Sequence, residues 1–172
     1  MKKRITEEEC IQLYKKYGTP PHVIAHCRAV SDTAFQIGNC LNDHGFCLDL
    51  ELIRGAGLAH DVARVEENHA LVGGKILDDL GYHEEAAIVS VHMTYDFHPF
   101  SSLDETDLVC LGDRLVKEDR YVGLDERIDY ILNKAPAEPA VRERILAKKE
   151  ETRRLIDDIE EAMGQTIDSL FL

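Results

Sequence analysis

The sequence lacks several features that define large classes of proteins. None of its five cysteines forms a Cys-x-x-Cys pair, which argues against a zinc ribbon or a thioredoxin-like site. No apolar run approaches the roughly 20 residues of a membrane span. The basic N-terminus lacks the apolar stretch of a signal peptide. We therefore expect a cytoplasmic protein with reduced cysteines in its core.

Positive charge is also scarce. The 172 residues include 20 Lys and Arg against 33 Asp and Glu, which gives a formal net charge of −13. Nucleic-acid polymers and anionic membranes both attract basic surfaces, so the composition predicts binding to neither. A protein of this net charge repels a small phosphate-containing substrate unless a local group, such as a metal ion, attracts it.

The apolar residues recur with a helical period along almost the whole chain. In the second predicted helix they follow one another at intervals of four and three residues from Val23 to Leu41. No alternating pattern bounded by turns predicts a strand. We predict an all-α fold with a helical core over residues 1–135 and a C-terminal helical extension over 136–172, packed on the same domain. The last helix either closes the core as an amphipathic helix or serves as a dimer element, which leaves a homodimer open.

Four polar residues lie at positions that the helical pattern predicts to be buried: His26, His60, Asp61 and Asp113. A buried carboxylate is costly unless it is paired or binds a cation. Imidazole and carboxylate groups together are suited to divalent transition metals. The set predicts one metal site, although a single histidine such as His26 is more often a core residue bonded to a backbone carbonyl.

Two further histidines have the same character. His69 and His92 lie on the apolar faces of the fourth and fifth predicted helices. With Asp61 as a bridging carboxylate they can hold a second metal ion, and the alternative is that they are polar residues at a pocket rim. His98 and Asp96, in the loop after His92, are left open as additional members.

Three cations are candidates for binding a substrate phosphate. Arg64 follows His60-Asp61 in a predicted loop. Lys117 and Arg120 follow Asp113 by four and seven residues, which places all three on one face if the sixth helix continues past Glu118. A solvated helix edge is the alternative explanation for these cations.

The ordered set His26, His60-Asp61 and Asp113 resembles the H…HD…D signature of the HD superfamily of metal-dependent phosphohydrolases. The segment 68–73 (Asn-His-Ala-Leu-Val-Gly) resembles its two-metal subgroup, and 113–120 resembles HD domains associated with molybdenum-cofactor-type nucleotidyltransferases. The resemblance covers residues from about 20 to 122 and implies a helical bundle around a metal centre. The chain departs from the pattern at Arg64, where many members have lysine, and it lacks their Gly-Tyr-Pro signature and adjacent His-His pair.

The resemblance implies an enzyme that hydrolyses phosphate ester or phosphoanhydride bonds in a small molecule such as a nucleotide or dinucleotide. One or two ions would activate water, with iron or manganese expected first and zinc, nickel or cobalt as alternatives. Asp61 would bridge the ions and position the nucleophile, and Arg64 would meet the phosphate. Two other classes stay open: a non-catalytic nucleotide-binding module and a diiron oxygenase.

Overall fold

A computed structural model of the protein describes residues 1–172 and is mostly helical, which confirms the prediction of an all-α fold. The α-helices are α1 (Glu7–Tyr17), α2 (Pro21–Asp43), α3 (Leu50–Ala59), α4 (His69–Asp79), α5 (His83–Val91), α6 (Glu105–Leu115), α7 (Leu124–Lys134) and α8 (Pro139–Met163). Two short 3-10 helices span Phe100–Ser102 and Asp168–Phe171. The two strands are β1 (Val116–Lys117) and β2 (Arg120–Tyr121).

Helix α2 occupies the centre of the molecule. It packs against α3 on one side and α6 on another, and it also contacts both strands and α8. Its start is fixed by Pro21, because proline at the first helical position has no amide hydrogen to leave unpaired. In its C-terminal half, Ile37 and Leu41 are fully buried. The central position of α2 brings its N-terminal half close to the ends of several other elements.

Two hydrophobic cores lie along α2 and α3. The larger core joins the C-terminal half of α2 to α6, α7 and α8. The smaller core joins the N-terminal half of α2 to α1, α4 and α5. Helix α3 contributes Ile53 and Ala56 to the larger core and Leu58 and Ala59 to the smaller one. The segment that follows Ala59 therefore emerges where the two cores meet, and this segment contains His60 and Asp61.

Helix α2 is held on two sides by glycines of neighbouring helices. A Cβ atom added to Gly57 would lie 2.7 Å from the Cα of Ser31, and one added to Gly112 would lie 3.0 Å from the carbonyl oxygen of Val30. Both neighbours are main-chain atoms, which cannot move aside as the end of a side chain can. These close approaches lie one helical turn after His26, beside Asp113 and three residues before His60. They therefore set the spacing between the helices that carry these three residues.

The sixth helix is shorter than predicted. It ends at Leu115, and residues 116–121 form an antiparallel hairpin in which Val116 pairs with Tyr121 and Lys117 pairs with Arg120. The prediction of a continuous helix through Arg120, and of no strand, is wrong for this segment. A hairpin of two residues per strand is too short for alternation to be visible in the sequence. Its turn holds Glu118 at a φ of +56°, a left-handed conformation that non-glycine residues rarely adopt.

Helix α8 packs its second half onto the larger core through Leu155, Ile156, Ile159 and Met163, while much of its first half is exposed. The division into a core over 1–135 and an extension over 136–172 stays a prediction. None of the helices combines the length and hydrophobicity that a membrane span requires.

We predict that Gly57→Ala destabilises the protein. The new methyl group gains about 1 kcal/mol of helix propensity, but its overlap with the α2 backbone costs about 1–3 kcal/mol or more. Urea denaturation followed by circular dichroism measures the difference. Gly38→Ala is the matched control, because the nearest atoms to its Cβ are side-chain methyl groups, at 3.0–3.2 Å, which can rotate. Equal stability losses in the two variants would contradict the backbone constraint.

Candidate functional site

Six polar side chains from five segments of the chain converge on one place: His26, His60, Asp61, His69, His92 and Asp113. The His26 Nε2 atom lies 3.0 Å from an oxygen of Asp113. The Nε2 atoms of His69 and His92 each lie 3.2 Å from the Oδ1 atom of Asp61. His60 Nε2 lies between the two acids, 3.5 Å from Asp61 and 3.7 Å from Asp113. The structure thus brings together all six residues that the sequence analysis singled out as ligands.

Element ends position most of these side chains. His60 and His92 each follow the last residue of a helix, α3 and α5, and Asp61 follows His60. His69 is the first residue of α4, after Asn68 in a left-handed conformation that asparagine tolerates better than most residues. His26 and Asp113 lie within α2 and α6. Three helix ends and two helix interiors therefore meet at the junction of the two cores.

The rings of three histidines are oriented by hydrogen bonds to main-chain carbonyls. The Nδ1 atom of His60 lies 2.7 Å from the carbonyl oxygen of Gly57, and that of His92 lies 2.7 Å from that of Val89. His26 Nδ1 lies 2.8 Å from the carbonyl oxygen of Glu118, in the left-handed hairpin turn. A carbonyl oxygen can only accept, so each Nδ1 carries the proton and donates. All three Nε2 atoms are then directed toward the carboxylates.

This arrangement is one in which a cation can be held. His26, His60 and Asp113 offer ligand atoms within 4.8 Å of one another, and so do His60, Asp61 and His92. His60 Nε2 and His69 Nε2 are buried without a hydrogen-bond partner. A buried polar atom without a partner costs about 1–3 kcal/mol, which a bound group would relieve. Histidines that donate Nδ1–H to a carbonyl and leave Nε2 free have the geometry of metal ligands.

The charges within the site shift the pKa values of its members in different directions. Burial is the largest single influence on the pKa of His26 and lowers it, but the hydrogen bond to Asp113, the charges of Asp113 and Asp61 and the Glu118 carbonyl together raise it above the usual value. Burial is also the largest single influence on the pKa of His92 and lowers it, but the hydrogen bond to Asp61, the two carboxylate charges and the Val89 carbonyl together raise it. Burial prevails at His60 and lowers its pKa. Burial disfavours the charged forms of Asp61 and Asp113, yet the neighbouring histidines keep both carboxyl pKa values well below the usual range.

The cluster opens into a cavity of about 790 Å³. Arg64 lines it, as the sequence analysis expected of a cation near the site, and is exposed. Arg127, Tyr130 and Lys134 of α7 also line the cavity and were not predicted from the sequence. The sequence does indicate that they lie together, because spacings of three and four residues place all three on one helix face. The cavity thus combines buried imidazole and carboxylate groups with cations at its edge.

Lys117 and Arg120 do not line this cavity. Lys117 lies in β1 and Arg120 in β2, so they do not share a helix face with Asp113. Both lie near Glu126, at 3.6 and 3.9 Å. The prediction that they share a helix face with Asp113 is wrong, because α6 ends before either residue. Their role in binding phosphate stays a prediction, and their positions outside the cavity do not support it.

His98 and Asp96 lie outside the cavity as well. His98 contacts Asp104 and Asp107 at the start of α6, and Asp96 pairs with Lys148 of α8. The group of His98, Asp104 and Asp107 has metal-ligand spacing. Its buried member, Asp107, already accepts hydrogen bonds from Tyr95 and from the amides of His98 and Asp104. His98 therefore belongs to the cap of α6, and Asp96 belongs to an ion pair with α8.

Comparisons with known proteins identify relatives in archaea. The chain is 24% identical over 183 aligned positions to the tRNA (cytidine(56)-2′-O)-methyltransferase of Picrophilus torridus, covering 95% of this chain and 49% of that protein. It is 31% identical over 91 residues to the enzyme of the same name from Thermoplasma volcanium, covering 51% and 25%. An uncharacterized protein of Methanocaldococcus jannaschii is 36% identical over 72 residues, covering 40% and 43%. The chain spans about half or less of the length of these relatives. No family model and no solved structure matches it.

These relatives correct the predicted family and function. Both relatives with a named activity are tRNA methyltransferases, so the comparisons do not support an HD phosphohydrolase acting on a small molecule. The two alternatives, a nucleotide-binding module and a diiron oxygenase, are not supported either. The resemblance was carried by a few histidines and aspartates, and such a set constrains local geometry more than it constrains the reaction. The coarser expectation of an enzyme agrees with the two relatives that are named as enzymes.

The predicted cofactor and partners are corrected by the same finding. A methyltransferase takes its methyl group from a donor such as S-adenosylmethionine, so a divalent transition metal that activates water is not the cofactor that the relatives indicate. Enzymes named for tRNA also contradict the prediction that no nucleic-acid polymer is bound. That prediction failed because a net charge averages over the whole surface, whereas binding depends on local charge. The capacity of the cluster to ligate a cation is a separate, geometric property and stays a prediction.

The opposite shifts among the histidines give a measurable outcome. In chelator-treated protein we expect His26 and His92 to titrate above the usual histidine pKa of about 6.5 and His60 and His69 below it. Asp61→Asn should lower the pKa of His92, because the neutral amide no longer stabilises the imidazolium. Histidine ring NMR resonances followed against pH measure each value.

Asp79→Asn is the control for this titration, since Asp79 is an exposed carboxylate paired with Lys75. It should leave all four titrations unchanged. Four histidines that titrate together near the usual value would show that the carboxylates do not act on them as the geometry indicates.

Proposed function

We propose that the chain acts in tRNA modification, as the counterpart of that half of a tRNA (cytidine(56)-2′-O)-methyltransferase with which it aligns. The proposal rests on the extent of the alignment, in which 95% of this chain aligns with 49% of the Picrophilus relative. An alignment that uses nearly the whole chain is expected of a shared structural unit rather than of a short shared motif. A cytoplasmic location is part of this proposal.

The cavity supports a role in contacting the RNA. Its volume of about 790 Å³ lies within the usual range for ligand sites. Arg64, Arg127 and Lys134 can meet phosphate oxygens at its edge, and the buried imidazole and carboxylate groups can bond to ribose hydroxyls. We therefore assign the RNA to this cavity, with Asp61 and Arg64 as the residues nearest the ribose and the phosphate.

The methyl donor does not fit the same cavity. S-adenosylmethionine supplies an electrophilic methyl group from its sulfonium, and its adenine requires an apolar slot. Only 4 of the 15 residues that line this cavity are hydrophobic, and none is a glycine that would let the backbone approach a cofactor closely. We therefore assign no step of methyl transfer to these residues and expect the donor to bind elsewhere in a complete enzyme.

Binding to a tRNA transcript tests the proposal. We expect micromolar binding of a fluorescently labelled transcript at low salt, with an affinity that falls as salt rises because phosphate contacts release counterions. Fluorescence anisotropy measures the dissociation constant, and duplex DNA of equal charge is the control, expected to bind at least about tenfold more weakly. Absence of tRNA binding at about 50 mM salt, or equal binding to duplex DNA, would contradict the proposal.

Nucleoside analysis after incubation with S-adenosylmethionine is the second measurement. We expect no 2′-O-methylcytidine from this chain alone, because its cavity does not accommodate the donor. Formation of the product would support the function in tRNA methylation and would overturn the placement of the donor outside this chain.

The cation-ligand role of His26, His60, Asp61, His69, His92 and Asp113 is a separate prediction. We expect Asp61→Asn to reduce the number of bound ions per chain, because Asp61 lies against all four histidines. Elemental analysis of purified protein checks this, with His83→Ala, a variant of an exposed histidine outside the cavity, as the control. Ion contents that are equal in wild type and Asp61→Asn would contradict the ligand assignment.

A further inference from the structure

Helix α7 presents a cationic and aromatic face to the cavity. Arg127, Tyr130 and Lys134 follow one another at intervals of three and four residues and all line the cavity. Leu124 and Ile128 of the same helix are buried in the larger core. The burial of these residues fixes the rotation of α7, so the cationic face is held toward the cavity by the packing of the core.

The ring of Tyr130 is surrounded by positive charge. The Lys134 Nζ atom lies 4.3 Å from the centre of the ring, the Lys117 Nζ atom 5.2 Å and the Arg127 Cζ atom 5.6 Å. The ring is partly exposed. Bases stack on such rings in proteins that bind single-stranded RNA, and adjacent cations bind the phosphates that accompany each base.

Two of these cations have hydrogen-bonding capacity to spare. Arg127 Nε is buried and has no hydrogen-bond partner, and Lys134 Nζ donates to the hydroxyl of Tyr130 rather than to a carboxylate. Lys117, in contrast, pairs with Glu126. An unpaired buried guanidinium nitrogen costs free energy that an incoming phosphate oxygen would recover.

The acidic residues of the cavity lie on other elements. Glu118 and Asp119 line it from the hairpin turn, and Asp61 and Asp113 lie in the histidine cluster. They repel a phosphate, so an anionic group is directed away from the cluster and the hairpin. On the α7 face, in contrast, a phosphate can contact cations that are not paired with carboxylates.

We propose that Arg127, Tyr130 and Lys134 form a nucleotide subsite, in which Tyr130 stacks on a base and the two cations bind the adjoining phosphate. The identity of the ligand as an RNA nucleotide rests on the proposed function. The stacking and the phosphate contacts follow from the α7 face itself, and they apply equally to a free nucleotide.

Titration with cytidine 5′-monophosphate and, separately, with inorganic phosphate tests the subsite. Tyr130→Leu should weaken binding of the nucleotide about tenfold and leave binding of phosphate unchanged, because only the nucleotide has a base to stack. Tyr130→Phe should retain nucleotide binding. Arg127→Gln and Lys134→Gln should weaken binding of both ligands. Isothermal titration calorimetry measures each constant on the full chain, and thermal denaturation verifies that each variant is folded.

Helix α1 offers a matched control. Tyr17 is also partly buried and has the Nζ atom of Lys16 5.4 Å from the centre of its ring, but neither residue lines the cavity. Tyr17→Leu and Lys16→Gln should leave both affinities unchanged. The subsite is overturned if the wild-type chain binds neither ligand, or if Tyr130→Leu binds the nucleotide as tightly as wild type.

The outcomes separate this inference from the proposed function. Nucleotide binding that depends on Tyr130, without any tRNA binding, would establish the subsite and refute the function in tRNA modification. Binding of tRNA that is unaffected by Tyr130→Leu and by Arg127→Gln would support the function and refute the subsite.

Discussion

The mutual neutralisation of the Asp61 and Asp113 carboxylates and four imidazoles is the interaction on which the rest of the structure depends. Asp61 is 8% exposed and His60 1% exposed, and a carboxylate at that depth is costly unless opposite charge or a bound cation accompanies it. Its partners come from α2, α4 and the ends of α3 and α5. The charge of Asp61 is therefore compensated only when all of these elements are packed together. The packing of the smaller core and the geometry of the site thus depend on each other.

Much of this geometry is predictable from the sequence because burial and helical period act locally. His26 shares a face with apolar residues at helical spacing, and His60-Asp61 ends an apolar helix, so their inward direction follows from the pattern alone. Lys117 and Arg120 were misplaced because a hairpin of two residues per strand leaves no periodic signal. The α7 face was missed because a cation and a tyrosine on a helix are usually solvated, and only the packing of α7 against the larger core shows that they face a cavity.

The reaction was less predictable than the site. A cluster of imidazole and carboxylate groups specifies which small groups it can bind, but it does not specify what the whole enzyme does with them. Two of the relatives are named for tRNA, although the chain has a net charge of −13. That charge is spread over the surface, whereas Arg64, Arg127 and Lys134 are gathered at one cavity. Composition alone could not reveal this grouping, because Arg64 is distant along the sequence from Arg127 and Lys134 and only the fold brings them to one cavity.

The contacts of Gly57 and Gly112 with α2 fix the distances between the helices that form the site. Because Gly57 and Gly112 meet the α2 backbone directly, the separation of the helices that carry His26, His60 and Asp113 is set by main-chain atoms. Side-chain rotamers at the surface of the cavity can change without altering that separation. Whatever occupies the centre of the cluster, whether a shared proton or a cation, must adapt its bond lengths to the protein. The fixed separation of the helices thus limits the size of the group that can occupy the centre, whatever charge that group carries.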